Sequence, residues 1–283
     1  MTSHTIGVLH PGEMGVTVGA SARAGGSRVL WASEGRSAQT RERAAAAGLE
    51  DARTLESLVA ASGVILSVCP PYSALDLARH VAAQGFSGVY VDGNAVSPGT
   101  AREIGRIIER AGATFVDGGI IGPPARARGT TRLYLSGEQA GPIAGLFAQG
   151  PLEAIVLDGE PGAASALKMA YAAYTKGTSA LLVSIRALAI RAGVDQALLD
   201  EWALSQKDLG ARSERAAGET ARKAWRFTGE MAEIAATFDD AGLPDGFFRA
   251  AGEIYESLAG YKDAPSMPSV AEVAKALFGR PRD

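Results

Sequence analysis

The chain is poor in residues that build covalent or metal cross-links. Among 283 residues there are one cysteine, Cys69, and three histidines, His4, His10 and His80. A lone cysteine excludes an internal disulfide and fits a reducing compartment. The histidines form no metal-ligand pattern, so no metal site is expected. Neither sign of charge dominates: 31 acidic residues oppose 28 basic ones and leave a net charge of −3. That balance argues against sequence-independent nucleic-acid binding and against a polybasic membrane anchor. No apolar run approaches the ~20 residues that span a bilayer. The N-terminus leads almost directly into an apolar strand, without the basic region, apolar core and cleavage site of a secretory signal, so a cytoplasmic protein is expected.

The length suffices for a sizeable core and for two domains. Through the first half, short apolar runs alternate with helical stretches. Val29 to Ala32, Val64 to Val68, Val89 to Asp92, Thr114 to Asp117 and Leu133 to Ser136 read as strands. Thr40 to Ala47, Ala74 to Ala83 and Ala101 to Ala111 read as helices between them. This alternation predicts a Rossmann-type, doubly wound, mostly parallel α/β sheet over residues 1–161. Ligands of such sheets sit at the carboxyl ends of the strands, where Ser67, Asn94 and Gly118 fall.

The stretch Thr5 to Gly15, TIGVLHPGEMG, is a strand collapsing into a glycine-bearing turn before a helix. The free backbone N–H groups of such a helix start can face a pyrophosphate. In the G-x-G-x-x-G fingerprint the three glycine places are held here by His10, Gly12 and Gly15. Pro11 would fix the turn that His10 requires. After the second strand, Ser33, Arg36 and Ser37 resemble a phosphate cradle and favour NADP(H), whereas Glu34 leaves NAD(H) open.

From residue 162 the character changes to an all-α domain, 162–283. A nearly unbroken helix from Ala163 to Ala192 would be roughly 45 Å long. It is apolar almost all round, which implies burial between domains or subunits, so a homodimer is expected. Lys168 interrupts it, with Tyr171, Thr175 and Ser179 on the same face. A lysine in such surroundings is either a working group or one that snorkels to solvent near the helix start. Val194 to Leu209, Ala211 to Ala224, Phe227 to Ala241 and Gly246 to Leu258 read as further helices, with Arg222 to Phe227 as a basic-aromatic junction.

Taken together, GVLHPGEMG, VDGNAVSP, VDGGIIGPP and the Gly162-to-Lys168 spacing resemble the β-hydroxyacid dehydrogenase superfamily, which includes 3-hydroxyisobutyrate and 6-phosphogluconate dehydrogenases. The resemblance is greatest to the branch whose C-terminal domain is phosphogluconate-dehydrogenase-like and of unknown function, and it covers essentially the whole chain. It implies hydride transfer between a nicotinamide and a carbon bearing a hydroxyl or carbonyl oxygen of a small molecule. Lys168 would be the general acid or base, with Tyr171 beside it. His10, Pro11, Gly12, Glu13, Met14, Gly15, Ser33, Arg36, Ser37, Ser67, Val68, Cys69 and Asn94 would hold the cofactor. Asn94, Gly118, Gly119, Ile120, Ile121, Gly122 and Thr175 would line the substrate.

The chain also departs from that pattern. Ile121, Gly122 and Pro123 replace the serine and two glycines that grip a substrate carboxylate in the dehydrogenases. Tyr171 and Ala172 replace the asparagine that follows the lysine, and Thr175 stands where phosphogluconate dehydrogenase has a glutamate. An imine reductase on the same two-domain plan therefore remains an alternative, as does a nucleotide-binding protein without turnover.

Overall fold

The structure is a computed structural model that describes residues 4–262 and 264–279. It divides into two compact units, Met1–Met169 and Ala170–Asp283. The division falls between Met169 and Ala170, within a long helix.

Among the described residues the first unit holds eight strands. They are β1 (Thr5–Val8), β2 (Arg28–Trp31), β3 (Glu50–Asp51), β4 (Val64–Ser67), β5 (Val89–Asp92), β6 (Thr114–Ile121), β7 (Arg132–Ser136) and β8 (Glu153–Val156). They form one sheet in the order β3-β2-β1-β4-β5-β6-β7-β8. Only the β6–β7 pair is antiparallel. The strand order reverses between β1 and β4, which opens a crevice at their carboxyl ends.

Alternating side chains divide two cores between the sheet's faces. Ile6, Val8, Val29, Trp31, Val64, Leu66, Val91 and Val116 face one way, packed under Val16, Val18 and Ala22 of α1 (Glu13–Ala24) and under Ile143 of α6 (Ala140–Gly145). Leu30, Ile65, Tyr90 and Phe115 face the other way. They meet α3 (Leu55–Ala61), α4 (Pro71–Ala83) and α5 (Pro98–Arg110). Strands covered on both faces read as continuous apolar runs, and that is why they were legible in sequence. In α5, Ala101, Ile104, Gly105 and Ile108 recur at helical spacing and are buried; Ser97 caps the helix by accepting from Thr100 N, with Pro98 in the first turn. A further helix of the unit, α2 (Ala38–Ala46), is capped in the same way by Ser37.

α7 (Ala163–Ala192) begins in the first unit. The second unit continues with α8 (Asp195–Ser205), α9 (Leu209–Asp240), α10 (Gly246–Ser257) and α11 (Val270–Phe278). α9 corrects the sequence reading. Two helices with a junction at Arg222 to Phe227 were expected, but Ala224, Trp225 and Arg226 continue one helix, with no glycine or proline among them to break it. Phe227 stacks edge-on to buried Tyr255 at 5.3 Å, and the Tyr255 hydroxyl donates to the Lys176 carbonyl at 2.6 Å. Arg186, 4 % exposed, grips both carboxylate oxygens of Asp195 at 2.7 and 2.9 Å and donates to Ser213 Oγ at 2.8 Å, tying α7, α8 and α9 together. Lys176 pairs with Glu230 at 2.8 Å and lies 5.0 Å from the Phe227 ring centroid. Among the described residues no helix is long and apolar enough to cross a membrane.

Candidate cofactor and active site

The turn between β1 and α1 is built around two glycines with different tasks. A Cβ on Gly15 would stand 2.0 Å from the His10 carbonyl oxygen, so only glycine lets the helix start this close to the turn. A Cβ on Gly12, the N-cap, would meet nothing within 4 Å. The space before the helix start is therefore open, with backbone donors facing it. Pro11 is buried, Glu13 is exposed in the first turn and Met14 packs against the core under the sheet.

Arg36 extends to this turn. Its Nη2 donates to the Leu9 carbonyl at 3.3 Å, and Arg43 Nη1 reaches the Pro11 carbonyl at 3.5 Å. Burial, with the positive charge of Arg36 added, lowers the His10 imidazole to a pKa of about 4. His10 Nδ1 and Arg36 Nε are buried with no hydrogen-bond partner. An open helix start beside two orphaned polar atoms fits a phosphate-bearing cofactor. The two serines of the expected cradle serve local structure. Ser37 Oγ caps α2, and the Ser33 backbone N–H donates to Asp51 Oδ1 at 3.2 Å, so Arg36 alone of the three joins the glycine turn. Arg43 escaped the sequence reading because one arginine among several on a polar helix carries no distinguishing pattern.

At the ends of β4 and β5, Asn94 is 2 % exposed. Its Nδ2 donates to Ser67 Oγ at 3.0 Å and to Asp92, and its Oδ1 accepts from Cys69 N at 2.5 Å. The amide is turned inward and clamps the two strand ends together. Ser67 is buried with it, whereas Val68 and Cys69 are half-buried. Burial pushes the Cys69 thiol up to about 12, which leaves it without nucleophilic character at neutral pH.

β6 outruns its parallel neighbour. Its last residue paired with β5 is Asp117, and Gly118 to Ile121 continue past that edge against β7. Ile120 and Ile121 are buried, and Gly122 has φ +125°, with no room for a side chain beside the Thr130 carbonyl. A Cβ on Gly119 would stand 2.6 Å from the Ala164 carbonyl oxygen and 3.0 Å from Lys168 Cβ. Half-buried Lys168 is thus held directly against the Gly119 backbone, beyond the carboxyl ends of the parallel strands. In the second unit, Tyr171 is exposed, and Thr175 bonds back to the Tyr171 carbonyl at 3.2 Å.

What fixes Lys168 there is Asp117, which is fully buried. Its Oδ2 accepts from Gly162 N at 2.9 Å, Ser165 N at 3.0 Å and Ser136 Oγ at 3.0 Å, and its Oδ1 accepts from Ser165 Oγ at 2.5 Å. Ala164 N donates in turn to Ser136 Oγ at 3.1 Å. A carboxylate from β6 thereby satisfies the first-turn donors of α7 and complements its dipole. Ser136, Ser165 and the role of Asp117 were missed in the sequence. The available signal was the Asp of VDGG together with a serine three residues after Gly162.

Residues 5–142 match the NAD binding domain of 6-phosphogluconate dehydrogenase, and residues 189–258 match a domain of unknown function, DUF1932. The two matches follow one another along the chain in the order that the resemblance implies. The first unit is an NAD(P)-binding domain. The chain is 34 % identical, over 168 residues, to an uncharacterized 28.5 kDa protein of Methanothermus fervidus; that match covers 59 % of this chain and 64 % of the relative, less than two thirds of its length. A solved conserved protein of unknown function, described as structurally similar to 3-hydroxyacid dehydrogenases, is 28 % identical with a TM-score of 0.66 and covers 92 % of this chain and 100 % of its own. Mycobacterium tuberculosis 3-hydroxyisobutyrate dehydrogenase shares the fold at 19 % identity and a TM-score of 0.69, covering 98 % of this chain and 99 % of its own. Imine reductases share it as well.

Replacing Asp117 by Ala leaves four buried donors without an acceptor, and urea unfolding should show a loss of roughly 3–5 kcal/mol. His10 gives a pH dependence. Its pKa falls from the ordinary 6.5 to about 4, so the folded chain binds fewer protons than the unfolded one in that window. Its share of stability is complete above the unfolded value and is lost as pH falls toward 4. The drop in Tm between pH 7 and pH 5 should therefore be smaller in His10→Gln than in the parent by roughly 4–8 °C, the shift about 2 kcal/mol produces at this size.

Proposed function

We propose that this chain is a member of the β-hydroxyacid dehydrogenase superfamily and an NADP(H)-dependent oxidoreductase that moves a hydride between the nicotinamide and a hydroxyl- or carbonyl-bearing carbon of a small molecule, with Lys168 as general acid and base. The observation that carries the reading is the placement of Lys168 against Gly119 at the carboxyl edge of the sheet, on a helix start anchored by Asp117. The glycine turn from His10 to Gly15 would hold the pyrophosphate, and Arg36 the additional phosphate of NADP(H). When bound, the cofactor supplies or accepts the hydride. Lys168 gives a proton to the carbonyl oxygen in reduction and takes it from the hydroxyl in oxidation. The backbone at Gly118 and Gly119, bare of side chains, lets a substrate approach β6 closely.

A second reading, imine reduction, is favoured by the phenol of Tyr171, which is 47 % exposed and one helical turn from Lys168. Fold neighbours include both hydroxyacid dehydrogenases and imine reductases. The working unit is proposed to be a cytoplasmic homodimer, because Leu181 and Leu188, two turns apart on α7, are exposed at 44 % and 70 %. Sedimentation at micromolar concentration should give twice the chain mass, and a monomer would count against it.

Arg36→Ala should weaken NADPH binding by roughly 1–3 kcal/mol, the worth of a charged hydrogen bond, and leave NADH nearly unchanged; equal losses would remove Arg36 from cofactor selection. Lys168→Ala should lower turnover by about 10²–10⁴ with NADPH affinity retained. Lys168→Arg should not restore it, because guanidinium keeps its proton. A large loss in Tyr171→Phe with a small one in Lys168→Ala would move the proton to the phenol and favour imine reduction.

A further inference from the structure

The helical unit carries a cavity of about 280 Å³ between α7 and α9, too small for a dinucleotide and suited to a small metabolite. Its walls are unusually rich in hydrogen-bonding groups that the protein itself does not engage. Arg212 and Arg215 line it from one face of α9, and neither guanidinium has an ion pair or hydrogen bond among the described residues. Thr178 on α7 and Thr220 on α9 also line it, and neither hydroxyl is bonded within the described residues. Thr220 is only 4 % exposed. A helical threonine so deeply placed ordinarily returns its hydroxyl to a carbonyl one turn back. Thr228 and Thr237 on the same helix do so, at 3.4 and 2.8 Å. Thr220 does not. Its hydroxyl is not among the buried unpartnered atoms, so it opens on the solvent of the cavity and is available to a ligand there.

We infer that this cavity is a binding site for a small molecule bearing an oxyanion, carboxylate or phosphate, gripped by Arg212 and Arg215 and hydrogen-bonded by Thr178 and Thr220. Two like charges one turn apart on a helix repel each other, and an oxyanion between them removes that repulsion while offering guanidinium the planar acceptor it fits. Glu219 is the one acidic wall residue. It leaves the cavity with excess positive charge and supplies an acceptor for a hydroxyl or amine on the same ligand. All these groups belong to the second unit, so the inference stands independently of the cofactor turn and of the oxidoreductase reading.

The test is calorimetric titration of the full chain at low ionic strength with inorganic phosphate and, separately, with malonate, using sodium chloride at matched ionic strength as the control. Saturable binding of one probe and not of chloride is expected, and the probe that binds identifies the oxyanion. Arg212→Gln combined with Arg215→Gln should weaken it at least tenfold. Thr220→Val, which keeps the shape of the side chain, should weaken it several-fold. Far-UV circular dichroism and the thermal unfolding midpoint, measured on the same samples, should be unchanged and report that each variant is folded. Absence of saturable binding by either probe, an equal response to chloride, or full affinity in a folded double variant would each overturn the inference. Loss of turnover alone would bear on the oxidoreductase reading and not on this one.

Discussion

The first unit depends on one buried carboxylate. Asp117 lies where β6 leaves the parallel sheet, and it gathers the opening N–H groups of α7 together with two serine hydroxyls. A helix start buried in protein has no water to satisfy its donors, so the acceptor must come from the fold. Asp117 supplies it from the strand that runs into Gly118 and Gly119. One residue therefore sets the distance between the β6 backbone and the helix that carries Lys168. The missing side chain at Gly119 is the other half of the arrangement, because a Cβ there would strike both the Ala164 carbonyl and Lys168.

The cofactor turn obeys a similar economy of space. Gly15 is needed for contact with the His10 carbonyl, and Gly12 faces open space. The first glycine of the usual fingerprint is dispensable here because His10 sits in a turn preceding buried Pro11 and has no positive φ. The cost is a buried imidazole beside Arg36, with Nδ1 and Nε unpartnered. Polar atoms left so at the mouth of the sheet's crevice are what a phosphate-binding site requires.

Much of the fold was legible because its strands are buried on both faces and its helices repeat at helical spacing. Val89 to Asp92 and Ala163 to Ala192 were read with the bounds the structure has. The two-residue β3, Glu50–Asp51, carries no apolar run and went unread, and β8, whose short Ala154 to Val156 run has no buried residue, went unread as well. The single α9 was split in the reading because a basic-aromatic cluster resembles a junction, and only its packing against Tyr255 shows it to be mid-helix. In the site, the glycine turn, Arg36 and Lys168 stood out by type and spacing. Asn94 stood out too, but its inward amide could not be foreseen, because that depends on Ser67, Asp92 and Cys69 meeting it from other strands. The bonds of Asp117 are likewise invisible in sequence, since their partners lie 19 to 48 residues away.

The central claim is that a hydride passes from the nicotinamide to a carbonyl carbon in this site. It is tested most directly by supplying NADPH deuterated at the transferring carbon, with a panel of aldehydes, ketoacids and cyclic imines, and locating the label in the products by mass spectrometry. The account predicts deuterium on the carbinol carbon of an alcohol or hydroxyacid. Label found only in amines from the imines, or no labelled product from any compound while NADPH binds normally, would contradict it.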